Sequence, residues 1–77
     1  MDNKLIKIFA TVLEIDESSI GEDFDQSSSP NWDSLNHLNL IIAIEEAYNV
    51  SFEPEEIAKM ISYKEVESKL NFKLLAS

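Results

Sequence analysis

The sequence contains no cysteine and no arginine, one glycine, two prolines and a single histidine. Without thiols, neither disulfides nor thiolate–zinc sites can hold the chain together. Long apolar runs are missing too. The longest is Leu40–Ile44, far short of the roughly 20 residues that span a bilayer. No basic segment followed by an apolar stretch opens the chain, so no secretory leader is expected. A soluble, cytoplasmic protein without membrane partners is the expectation. Cations are scarce and unevenly placed: Lys4, Lys7, Lys59, Lys64, Lys69 and Lys73 are all there are, and none lies between Ile8 and Ala58. A scaffold with a deep catalytic cleft usually needs more chain than these 77 residues, which provide one small core. The expectation is a single domain over 1–77, monomeric and not an enzyme.

What is present is acid and aliphatic carbon. Fifteen Asp and Glu give a net charge of −9 and a pI near 4.3. Twelve of the fifteen lie between Glu14 and Glu56. Such a field repels phosphate backbones, which excludes nucleic acid as a partner, and it attracts proteins with basic patches. Hydrophobic residues make up 44% of the chain, enough for a packed core.

Periodicity organises that core. Leu5, Ile6, Ile8, Phe9, Val12, Leu13 and Ile15 share one half of a helical wheel, predicting an amphipathic helix over 2–15 with Asp2 or Asn3 as its cap. From Asp16 to Asp33 the period disappears, with Gly21 and Pro30 as breakers. Ile20, Phe24 and Trp32 are the apolar anchors available to pin so long a connection. A second helix is expected over 34–48, apolar nearly all round from Leu38 to Ile44 and therefore central. Glu53-Pro54-Glu55-Glu56 opens a short third helix, 54–61, with proline and acids in the first turn. Ser62 caps a fourth over 63–75, with Val66, Leu70 and Leu74 inward. The expected fold is an all-α four-helix bundle with a long first loop and a short third helix. Phe9, Val12, Leu13, Leu40, Ile44, Tyr48, Phe52, Ile57, Val66 and Leu70 are its expected core.

Few constellations could carry chemistry. Asp33, Ser34 and His37 supply an acid, a hydroxyl and an imidazole within one turn, but no oxyanion hole or strand-to-helix elbow accompanies them. Helix capping accounts for Ser34, and an exposed helical position for His37. Asp23, Asp25 and Ser27 imitate the start of a calcium loop. Ser28 then stands where glycine is needed and Ser34 where glutamate should close the site. Trp32 reads as a staple over the second helix or an anchor for the loop.

The run Trp32-Asp33-Ser34-Leu35-Asn36-His37-Leu38-Asn39-Leu40, continued by Ala43-Ile44-Glu45-Glu46-Ala47-Tyr48 and Val50 to Ile57, resembles the acyl carrier proteins. Length, helix order, the long first loop and the low pI extend the resemblance over nearly the whole chain. It implies that Ser34 is the attachment point of 4′-phosphopantetheine, transferred from coenzyme A by a phosphopantetheinyl transferase, with Asp33 and Leu35 flanking it. It also implies that Leu38, Glu45 and Glu46 face acyl-loading and acyl-accepting enzymes with basic docking patches, and that Ile41, Ile42 and Met60 line an acyl pocket. Housekeeping carriers of fatty acid synthesis usually place acids where Asn36 and Asn39 stand and a small residue in place of Trp32. A dedicated carrier for a specialised pathway is therefore expected, the alternatives being the housekeeping carrier or a helical adaptor without a prosthetic group.

Overall fold

The computed structural model describes residues 3–76. Its α-helices are α1 (Asn3–Leu13), α2 (Ser34–Tyr48), α3 (Pro54–Lys59) and α4 (Tyr63–Ala76). This is the expected four-helix bundle, with no strand among the described residues. The expected cap at Asp2 lies outside those residues. Two single 3₁₀ turns, Glu17–Ser19 and Gln26–Ser28, punctuate the long connection.

Two helices end earlier than the periodicity predicts, α1 for a local reason and α3 for a distant one. α1 stops at Leu13 because Glu14 adopts a left-handed conformation, φ 55°. Ile15 N–H then returns to the Ala10 carbonyl at 3.1 Å, the bond that closes a Schellman-type end. Asn49, φ 56°, ends α2 in the same way, with Val50 N–H on the Glu45 carbonyl at 3.2 Å. α3 stops at Lys59 because the next residues pair with the long loop. Gln26 N–H donates to the Ile61 carbonyl at 2.8 Å, and Tyr63 N–H to the Phe24 carbonyl at 2.9 Å. Ser62 caps α4 as expected, accepting from Glu65 N–H at 3.1 Å.

The core draws on α1, α2, α4 and the loop, with Phe52 and Met60 contributed from just outside the two ends of α3. Leu5, Phe9 and Leu13 of α1 meet Leu40, Ile41 and Ile44 of α2, and Met60, Tyr63, Val66 and Leu70 close the other side. Of the expected core, Val12, Tyr48 and Ile57 are only partly buried and pack against its margin. Leu74, expected inward, is 41% exposed. All three loop anchors are buried: Ile20, Phe24 and Trp32. Trp32 stands edge-on to Phe9 with centroids 5.4 Å apart, and stacks on Phe24 at 5.7 Å with an interplanar angle of 16°. Such ring pairs contribute about 0.5–1.5 kcal/mol each beyond their buried area. The connection is long in sequence and tightly attached in space.

α2 departs from expectation. Its apolar surface implied a helix covered on all sides, yet Leu35, Leu38 and Ile42 are 68%, 54% and 53% exposed. They recur at i, i+3 and i+7, one stripe of the wheel. The core takes the opposite stripe, and four short helices provide no further element to cover this one.

Candidate functional site

The head of α2 is assembled by a chain of polar contacts that starts at the end of α1. Asn31 Nδ2–H donates to the Leu13 carbonyl at 2.9 Å, and Asn36 Nδ2–H to the Asn31 carbonyl at 2.8 Å. Asn39 Nδ2–H reaches Asn36 Oδ1 at 3.3 Å. Asp33 is the N-cap: its extended backbone opens the helix, and its Oδ1 accepts from Asn36 N–H at 2.9 Å. Ser34 is thus the first helical residue, exposed, and the capping role foreseen for it belongs to Asp33. Asn36 and His37 N–H are taken by Asp33 Oδ1 and Asp33 carbonyl respectively. The amides of Ser34 and Leu35 remain at the positive end of the helix dipole, beside the serine hydroxyl.

His37 is half-buried instead of exposed. Its Nδ1 accepts from Trp32 Nε1–H at 2.9 Å, and its Nε2 lies 2.8 Å from the Ile57 carbonyl. A carbonyl can only accept, so Nε2 carries the proton and the ring is the neutral Nε2–H tautomer. Both nitrogens are spoken for, neither by Ser34. The Asp33-Ser34-His37 triplet is therefore not a catalytic triad. The sequence carries one signal of this strut, a Trp five residues before a His across a helix start.

The other expected site residues fall into three groups. Asp33, Leu35, Leu38 and Glu46 are exposed with Ser34 on or beside the outer stripe of α2. Glu45 is half-buried, and its Oε2 accepts from Phe52 N–H at 2.8 Å, so it holds the α2–α3 connection. The expected pocket residues separate: Ile41 and Met60 are packed in the core at 2% and 0% exposure, whereas Ile42 points to solvent beside Leu38. Ile41 and Ile42, 100° apart on the helix, thus face inward and outward respectively.

The calcium-loop imitation is also resolved. Asp25 Oδ1 accepts from Ser27 Oγ–H and Ser28 Oγ–H at 2.8 Å and from Ser28 N–H at 2.9 Å. It is a local cap of the second 3₁₀ turn. These serine hydroxyl bonds stabilise the carboxylate and hold Asp25 below its ordinary value. Glu56 is likewise lowered, first by Glu53 N–H and then by Lys73, 2.9 Å away. Among the described residues no cluster of three or more His, Asp or Glu could hold a metal, and no helix is long and apolar enough to cross a membrane.

Comparison with known proteins extends this picture. No family model matches the chain. An acyl carrier protein from Guillardia theta is 34% identical over 59 residues, covering 77% of this chain and 72% of that protein. The solution NMR structure of the holo acyl carrier protein from Geobacter metallireducens superposes with a TM-score of 0.85 at 27% identity, covering 96% of this chain and 85% of that one.

Proposed function

The chain belongs to the acyl carrier protein family, and from that premise we propose that it holds acyl or related groups as thioesters on a 4′-phosphopantetheine arm attached to Ser34. The observation that carries the assignment is the position of Ser34: exposed, first in α2, and freed from capping by Asp33. A phosphodiester on its hydroxyl would lie against the Ser34 and Leu35 amides, where a helix end favours anions. The chain lacks thiols, and the bound arm supplies the one that forms thioesters. The chain itself contributes attachment, orientation and a docking surface, and the bond-making belongs to its partners.

No lysine lies between Ile8 and Ala58, so the phosphate's charge adds to an acidic surface. Phosphopantetheinyl transferase and the loading and accepting enzymes are proposed to bring the cations, around an apolar spot that takes Leu35, Leu38 and Ile42. Association with them should weaken as salt rises. The carrier is proposed to work as a single-domain cytoplasmic monomer in a specialised pathway, because its amides at Asn36 and Asn39 face partners where housekeeping carriers usually present carboxylates.

Incubation with coenzyme A and a broad-specificity transferase tests the core of this reading. One arm should appear by intact mass on the native chain and none on Ser34→Ala. No mass gain with several transferases would favour the helical adaptor without a prosthetic group. Turnover of activated esters without coenzyme A would favour a hydrolase.

A further inference from the structure

Away from the Ser34 stripe, α1 and α2 leave an open groove of about 490 Å³ between them. Its floor is apolar, formed by Ile8 and Val12 of α1 and by Ala43 and Ala47 of α2, with Lys4 and Lys7 on its wall. The short side chains of Ala43 and Ala47 leave the groove unfilled on the α2 side. α1 carries no acid along its length, and these two lysines are the only cations in the first 58 residues. On a chain of net charge −9, this groove is where an acidic segment meets attraction.

We propose that the groove docks an acidic amphipathic helix of a partner protein, on a side of the carrier that leaves Ser34 and the Leu35 stripe accessible. Lys4 and Lys7 are three residues apart, one helical turn. That spacing matches carboxylates at i and i+3 or i+4 on an incoming helix laid along the groove. Leucine-sized side chains on the same face would cover Ile8 and Val12 and use the room above Ala43 and Ala47. Lys4 also donates to the Ala47 carbonyl at 3.0 Å and lies 4.6 Å over the Tyr48 ring. Its charge is thereby fixed at one end of the groove, while exposed Lys7 supplies the adaptable contact. A lipid surface fits less well, because anionic headgroups would meet the acidic remainder of the molecule.

The test is amide chemical-shift mapping on the full chain with a synthetic helical peptide bearing leucines on one face and glutamates beside them. Saturable shifts should centre on Lys7, Ile8, Val12, Ala43 and Ala47, with a dissociation constant below about 1 mM. A peptide with lysines replacing the glutamates should give no shifts at the groove, whatever it does at the acidic face of α2. Lys7→Glu should weaken binding roughly threefold to tenfold, and Ala47→Leu, at an exposed position, should block it by filling the groove. Lys4 is left unchanged because its contacts with α2 are structural. Shifts of the acidic peptide centred on Leu35 and Leu38, equal binding of the charge-inverted peptide in the groove, or indifference to Lys7→Glu would each overturn the proposal. So would displacement of the peptide by decanoate alone with the same shifts, which would make the groove a site for small carboxylate amphiphiles.

Discussion

Trp32 and His37 are joined by a 2.9 Å hydrogen bond from the indole Nε1–H to the imidazole Nδ1. The other imidazole nitrogen donates to the Ile57 carbonyl of α3. The long loop, the helix that presents Ser34, and α3 are therefore fastened at one side chain. Trp32 is 2% exposed, so its N–H has no solvent to fall back on. Replacing His37 by Ala removes both bonds and strands a buried donor, which costs about 2–4 kcal/mol in total. Denaturant unfolding followed by helical circular dichroism should show that loss. The fluorescence of Trp32, the chain's single tryptophan, should change in the folded state. A midpoint unchanged from the native protein would sink the strut.

The cap at the head of α2 separates two neighbouring residues by role. Asp33→Ala removes the acceptor for Asn36 N–H and should cost about 1 kcal/mol. Ser34→Ala removes an exposed hydroxyl that caps nothing, and its stability should stay within about 0.5 kcal/mol of native. Thermal melts of both variants check the stability difference. Only Ser34→Ala should wholly abolish modification.

What was legible in the sequence follows this division between local and distant causes. α2 could be read because its signals are adjacent: an Asp-Ser start, an apolar run, and an Asn that tolerates the left-handed end. The early end of α1 was hidden, since a glutamate gives little notice of a positive φ. The end of α3 was hidden for a different reason, because the Gln26 and Phe24 backbones that stop it come from more than thirty positions upstream. Glu45 has the sequence signature of surface charge, and its bond to Phe52 N–H depends on how the connection folds back. The place of Ser34 at the head of α2 was legible from the run around it. The strut through His37 joins three segments and has no local signature beyond Trp32.

Acid should loosen the long loop before the helices melt. Asp25 is held below its ordinary value of 3.8 by the Ser27 and Ser28 hydrogen bonds. A carboxylate depressed in the folded state stabilises the fold fully above its unfolded value, and that contribution is lost as pH falls through the lower, folded one. Glu56, lowered from 4.5 by Glu53 N–H and Lys73, acts in the same direction. Carboxyl carbon titration should place both groups below their ordinary values. Asp25→Asn should remove its share of the pH dependence below about pH 4. A titration of Asp25 at its ordinary value would contradict the cap geometry.

The amides at 36 and 39 have a structural explanation that competes with the one from partner choice, and one pair of variants separates them. Asn36 Nδ2–H bonds the Asn31 carbonyl at 2.8 Å. A carboxylate cannot donate there, so Asn36→Asp loses a bond of about 0.5–1.5 kcal/mol. It also gains about 0.3–1 kcal/mol from a negative charge in the first turn of α2. The two nearly cancel, and Asn36→Asp should fold with stability within about 1 kcal/mol of native. Exposed Asn39 contributes one long bond, 3.3 Å to Asn36 Oδ1, and Asn39→Asp should be milder still. If stability alone kept these amides, the double variant would behave like the native carrier toward every enzyme. If partners read them, each added carboxylate contributes up to about 1 kcal/mol to an exposed ion pair with an enzyme built for housekeeping carriers. Loaded holo-protein offered to a general fatty acid ketosynthase should then be elongated poorly. The double variant should be elongated up to about thirtyfold better, while losing efficiency with the enzyme that normally loads this carrier. Native protein elongated as well as the organism's main carrier would remove the specialised pathway and leave a general acyl carrier whose amides serve the Asn31 contact alone.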